Sequence, residues 1–184
     1  MALKNGLDFN NNGNSINLVV APANKYLKIN IDILSGLMNK DLKLIYLTTN
    51  KSCEVISSTL EKNKIKFNDI LFIETKEHGI SGKPHCLFVQ SPEALTDMSI
   101  AICQTFQVFN KNKFLFFDTL SSLFVYNDPK VVVRFANFLV HKMRQHHVRG
   151  AFICIKKEID EKVISQLSQV FDNVVEIGEN GGAK

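Results

Sequence analysis

Seven short apolar runs recur along the chain between polar turn residues, and they constrain its fold more than any other feature. They are Ile16–Val20, Lys43–Thr48, Ile70–Glu74, Cys86–Gln90, Lys113–Asp118, Ala151–Ile155 and Asn173–Ile177. Most are continuous rather than alternating, which is the pattern of strands covered on both faces in a parallel sheet. Between them, apolar residues return at three- and four-residue spacing. Leu27, Ile31, Leu34 and Met38 form one such set, and Leu95, Met98, Ile102, Phe106 and Phe109 form another within residues 92–109. Val131, Phe135, Phe138 and Lys142–Met143 mark residues 129–147, and Val163, Leu167 and Val170 mark the last helix. Ser91-Pro92 and Asp128-Pro129 each predict a helix start, with a capping side chain just before a proline at the first helical position. Gly150 predicts a helix stop and the opening of the next strand. Strand–helix alternation with short connections gives an α/β class: a doubly wound, mainly parallel sheet flanked by helices in three layers.

With 184 residues the chain suits one domain. Residues 1–14, rich in Asn and Gly, are expected to be a flexible leader, residues 15–178 a single domain, and residues 179–184 a disordered tail. Residues 75–85, with Gly79, Ser81-Gly82 and Pro84, predict one long loop joining two strands without a helix. The apolar runs are too short to span a bilayer, and the N-terminus lacks the apolar core of a signal peptide, so a cytoplasmic location is expected. Cysteines 53, 86, 103 and 154 show no CxxC spacing and lie beside apolar residues. They read as small buried hydrophobes rather than as a disulfide or zinc framework. The net charge of +4 with scattered lysines is too mild for a groove that tracks nucleic-acid phosphates.

Three stretches carry a resemblance. KLIYLTT at 43–49 resembles the second core strand of KaiC-like, RecA-fold ATPases, and FLFFDTLSSL at 114–123 resembles their Walker B strand and the segment after it. SPEALTD at 91–97 and RFANFL at 134–139 resemble short archaeal members of that group. The resemblance spans roughly residues 16–177 and implies a nucleotide site beyond the carboxyl ends of the strands. Counting back from the second strand places Val20–Leu27 on the phosphate-binding loop GxxxxGK[ST]. That loop needs glycines so that backbone N–H groups converge on phosphate, a lysine for charge and a hydroxyl for magnesium. The four signature positions hold Val20, Lys25, Tyr26 and Leu27 instead. The carboxylate pair that activates water in the family falls on Asn50 and Lys51, neither of which is a general base. Glu54, one turn on, reads as a dipole-stabilised carboxylate at a helix start.

Asp118 matches the Walker B aspartate, with Thr119, Ser121 and Ser122 beside it. The resemblance therefore implies a non-catalytic domain, a pseudo-ATPase acting in regulation or signalling through a protein partner or self-association. Membrane and nucleic acid are not expected as partners, and no cofactor is expected. The alternative is an atypical nucleotide-binding protein or ATPase that holds Mg-ATP weakly through Asp118. Its residual site comprises Asn24, Lys25, Tyr26, Lys28, Thr48, Thr49, Asn50, Asp118 and Thr119. No metal site is expected unless Asp118 supplies it. On the leading reading, Tyr26 or Lys25 intrudes where phosphates would lie. Histidines 141, 146 and 147 suit a helix C-terminus, His78 and His85 flank the long loop, and Lys156-Lys157-Glu158 decorate a turn.

Overall fold

The computed structural model describes residues 15–38, 41–67, 69–76, 85–110 and 112–178. The expected leader and tail, and most of the long loop with His78, lie outside the described residues. In chain order the elements are β1 (Ile16–Ala21), α1 (Tyr26–Gly36), β2 (Lys43–Thr48), α2 (Cys53–Lys62), β3 (Asp69–Thr75), β4 (Cys86–Val89), α3 (Leu95–Val108), β5 (Lys113–Asp118), α4 (Leu123–Tyr126), α5 (Pro129–Gln145), β6 (Arg149–Ile155), α6 (Glu161–Ser168) and β7 (Asn173–Glu176). A single 3-10 turn, Lys156–Glu158, follows β6.

The strands form one seven-stranded sheet in the order β4-β3-β2-β5-β6-β1-β7, and every pairing is parallel. The continuous apolar runs explain this arrangement, because both faces of the central strands are covered. Phe114 and Phe116 of β5 pack with Ile29, Ile33 and Leu34 of α1 and Ile56 and Leu60 of α2. Leu115 and Phe117 point the other way, into a core with α3, α5 and α6. The architecture is thus the doubly wound three-layer α/β sheet expected from the sequence. Among the described residues, no helix is long and apolar enough to cross a membrane.

Strand limits agree with the sequence reading to within two residues, whereas helix faces and ends differ. Ser91 does not cap α3: its Oγ accepts the N–H of Glu93 at 3.1 Å, which closes a local turn, and the helix begins at Leu95. Asp128 does cap α5, accepting the N–H of Lys130 at 2.8 Å with Pro129 in the first position. The left-handed residue after α5 is His147, with φ 53°, while Gly150 lies inside β6. Gly150 serves packing there, since a Cβ would fall on the Met143 side chain and 2.9 Å from the Leu115 carbonyl. In α1 the buried face runs through Ile29, Asn30, Ile33 and Leu34, which leaves Leu27 exposed, and Met38 lies beyond the helix end, also exposed. Tyr26 turns inward at the first residue and sets that rotation. In α5 the buried stripe is Val132, Phe135, Ala136, Leu139, Val140 and Met143, so Val131 and Phe138 face outward.

Candidate functional site

β2 feeds α2 on one face of the sheet, while its neighbour β5 feeds α4 and α5 on the other. Connections that part in this way open a crevice at the carboxyl ends of the two strands. Asp118, the last residue of β5, lies there opposite Thr48 and is 2% exposed. Two phenols occupy its carboxylate: Tyr26 Oη donates to Oδ1 at 2.6 Å, and Tyr46 Oη donates to Oδ2 at 2.6 Å. Tyr46 reaches Asp118 because it lies two residues before Thr48 on the same face of β2. Burial pushes the pKa of both phenols up, and the Asp118 charge and its hydrogen bonds add to the rise. Both therefore remain protonated donors through neutral pH. Lys51 caps the arrangement, donating from Nζ to Tyr26 Oη at 3.0 Å and lying 4.7 Å above the ring centre.

The hydroxyl residues beside Asp118 hold the backbone. The Asp118–Thr119 peptide is cis. Thr49 Oγ1 accepts the Thr119 N–H at 3.3 Å and lies 2.6 Å from Ser122 Oγ. Ser122 Oγ donates to the Thr119 carbonyl at 2.8 Å, and Ser121 Oγ donates to Glu158 at 2.8 Å. Thr48 Oγ1 donates to the Lys51 carbonyl at 2.9 Å. These residues are committed to the turn between β5 and α4 and to the β2–α2 connection.

Of the residues expected at a residual nucleotide site, Tyr26, Thr49, Asp118 and Thr119 do come together. Asn24, Lys28 and Asn50 are exposed, and Lys25 is partly exposed with its N–H on the Pro22 carbonyl. The ammonium beside Asp118 comes instead from Lys51. Sequence reasoning had noted Lys51 only as a charge that replaces a base, and it missed Tyr46, one phenol within an apolar strand. Asn30, also missed, is buried in α1 with its amide turned toward the Tyr26 phenol but outside good hydrogen-bond geometry.

Space follows from this closure. A cavity of about 20 Å³ is lined by Asn30, Tyr46, Lys51 and Asp118 among apolar residues. That is room for about one water and none for a polyphosphate. A separate open cleft of about 430 Å³ lies beyond β1, β6 and β7, lined by Pro22, Ala23, Asn24, Lys156, Lys157, Ile177 and Gly178. Lys156 there pairs with Glu176 at 3.1 Å.

The cysteines need a correction. Cys53 and Cys86 are joined as a disulfide, against the expectation of four separate buried thiols. Cys154 is buried as expected, and burial raises its thiol pKa, while Cys103 is partly exposed. The parallel pairing of β3 and β4 brings Cys86 beneath the start of α2, a juxtaposition that a spacing of 33 residues does not advertise. The third member of this group is Glu74, 5% exposed, whose Oε2 accepts the Cys53 N–H at 2.8 Å.

A doubly wound parallel α/β/α domain with a phenol-closed strand-end carboxylate is the class that fold and site define. The chain belongs to DUF7504, a family of unknown function whose profile matches residues 40–177. The match begins after α1, so Tyr26 lies outside it. Among solved structures, 104 chains match the chain. One is a protein of Pyrococcus horikoshii OT3 described as a structural study of Project ID PH0250. It is 11% identical over 92% of this chain and 84% of its own, with a TM-score of 0.62, a likeness of fold alone. No curated protein matches the sequence.

Proposed function

We propose that this protein is a non-catalytic RecA/KaiC-like domain, a cytoplasmic pseudo-ATPase that acts in regulation or signalling through protein contacts. One observation carries the reading: both oxygens of Asp118, the position that matches a Walker B aspartate, are taken by the phenols of Tyr26 and Tyr46. A metal-held water there would have to compete with two charge-assisted hydrogen bonds in a space of about 20 Å³. The loop before α1 lacks the glycines and hydroxyl of a phosphate cradle, and Tyr26 stands where its lysine would be. Asn50 and Lys51 replace the water-activating carboxylates, so two independent parts of ATP hydrolysis are missing. A seven-stranded parallel sheet with helices on both faces is consistent with the RecA-like part of this reading.

Contact with another protein is supported by apolar side chains turned to solvent on two consecutive helices: Val125 and Tyr126 on α4, Val131 and Phe138 on α5. Val125 is 75% exposed. Isothermal titration with Mg-ATP and Mg-ADP tests the reading. No heat of binding at millimolar nucleotide is expected. Micromolar affinity that Asp118→Ala abolishes would establish an atypical nucleotide site instead. Micromolar affinity that survives Asp118→Ala but is lost in Lys156→Ala/Lys157→Ala would move ligand binding to the open cleft.

A further inference from the structure

Cys53 is the first residue of α2, Glu74 is next to last in β3 and Cys86 opens β4. All three are buried, and one ligand atom from each lies within 4.8 Å of the others. Phe72 and Glu74 alternate onto the same face of β3, and Cys86 pairs with Phe72, so sheet register as well as side-chain placement brings the group together. α2 covers that face with Ile56 and Leu60, which closes the group from solvent.

The electrostatics of the group are incomplete. Glu74 Oε2 lies 2.8 Å from Cys53 Sγ and 3.9 Å from Cys86 Sγ, and while the disulfide is closed neither sulfur has a proton to donate. Its remaining donor among the described residues is the Cys53 N–H. Among the described residues, no lysine or arginine pairs with it. A buried carboxylate facing two electron-rich sulfurs without a cation is expensive. The Cα atoms of Cys53 and Cys86 are 7.0 Å apart, just beyond the usual span of bonded cysteines. Two thiolates that share an ion are farther apart than two bonded sulfurs, so this spacing suits them at least as well.

We propose that, in the reduced protein, Cys53, Glu74 and Cys86 bind one divalent transition-metal ion of the zinc class. Two thiolates and a carboxylate are a borderline-soft donor set that favours such an ion over magnesium or calcium. Sulfur at about 2.3 Å and oxygen at about 2.1 Å from a common centre need the opened sulfurs to part to roughly 3.7 Å, which the 7.0 Å Cα spacing permits by side-chain rotation. A dithiol reductant supplies two electrons and two protons to open the S–S bond. The ion then displaces both thiol protons, and three negative ligands meet a charge of +2. The N-terminal dipole of α2, which ends on Cys53, offsets part of the excess. A fourth position is left for water or an added ligand. The ion would tie the edge strand β4 and the helix α2 to β3. This inference does not rest on the ATPase reading.

Cobalt titration of the full chain, reduced with a phosphine and freed of metal by chelation, is the test. One equivalent of Co²⁺ should produce thiolate-to-cobalt charge-transfer absorption in the near ultraviolet, and one equivalent of Zn²⁺ should bleach it. The absorption should be lost in Cys53→Ser and in Cys86→Ser. It should persist in Cys103→Ser/Cys154→Ser, and Glu74→Gln should weaken affinity at least about tenfold. Because the wild-type titration needs no folded variant, absence of the band in that sample overturns the proposal. So does a band that survives in Cys53→Ser/Cys86→Ser.

Discussion

Two buried carboxylates flank Thr48 on the same face of the sheet: Asp118 on β5 and Glu74 on β3 are both register partners of that residue. Both are almost fully buried, at 2% and 5% exposure, Asp118 at the strand-end crevice and Glu74 beneath the start of α2. Their partners differ. Asp118 has a neutral O–H donor on each oxygen, with a lysine one hydrogen bond further out. Glu74 has one backbone N–H and two sulfurs. Burial alone therefore does not mark a carboxylate as available for chemistry; the supply of protons around it does. Saturated with donors, Asp118 is a structural anchor. Glu74 is short of them while the disulfide is closed, and once it opens two thiols face the carboxylate, whose protons a cation can replace.

The largest expected effect comes from breaking the saturated member. Asp118→Ala should destabilise the fold by about 4 kcal/mol in urea unfolding, because it leaves two phenols without acceptors and opens a cavity. A loss below about 1 kcal/mol would show that the phenols find other partners and that the anchor is incidental. Tyr46→Phe removes one donor from a charged group and should cost about 2 kcal/mol. Tyr26→Phe should cost less, since that phenol is only partly buried and water can replace it. If the order is reversed, the closure depends on α1 rather than on the sheet.

The phenols also set an alkaline limit. Burial and the Asp118 charge raise their folded pKa above the ordinary value near 10. Their contribution is fully present below pH 10. Above it the unfolded chain loses phenol protons that the folded chain retains, and stability falls by about 1.4 kcal/mol per pH unit per phenol. Denaturation midpoints at pH 9 and pH 11 should therefore differ more for the wild type than for Tyr46→Phe. Equal slopes would mean that Tyr46 ionises freely in the folded protein.

Much of this was legible in the residues, but unevenly. Continuous apolar runs exposed the strands and hence the parallel sheet, because a strand covered on both faces has no polar alternation to blur it. Asp118 stands out as the polar end of the apolar run FLFFD, and Tyr26 could be placed by counting back from the second strand. Tyr46 could not, since a phenol within LIYLT reads as one more large apolar side chain until its hydroxyl meets an acceptor on the next strand. Ser91-Pro92 misled for a local reason: the serine satisfies a turn and not a helix end. Cys53, Glu74 and Cys86 were hidden by separations of 21 and 12 residues, which only the register of β3 against β4 and the entry of α2 convert into contact.

The smallest effect expected of the pair is also the most discriminating. In the disulfide-bonded protein, Glu74→Gln should shift stability by no more than about 0.5 kcal/mol, and in the stabilising direction if at all. The carboxamide oxygen can still accept the Cys53 N–H, while a buried charge without a counter-ion disappears. Reduction and added Zn²⁺ should then separate the two proteins, raising the thermal midpoint of the wild type more than that of the variant, since bound metal stabilises by mass action. A large loss in the disulfide-bonded variant would mean that Glu74 is already satisfied like Asp118, and the contrast between the two carboxylates would collapse.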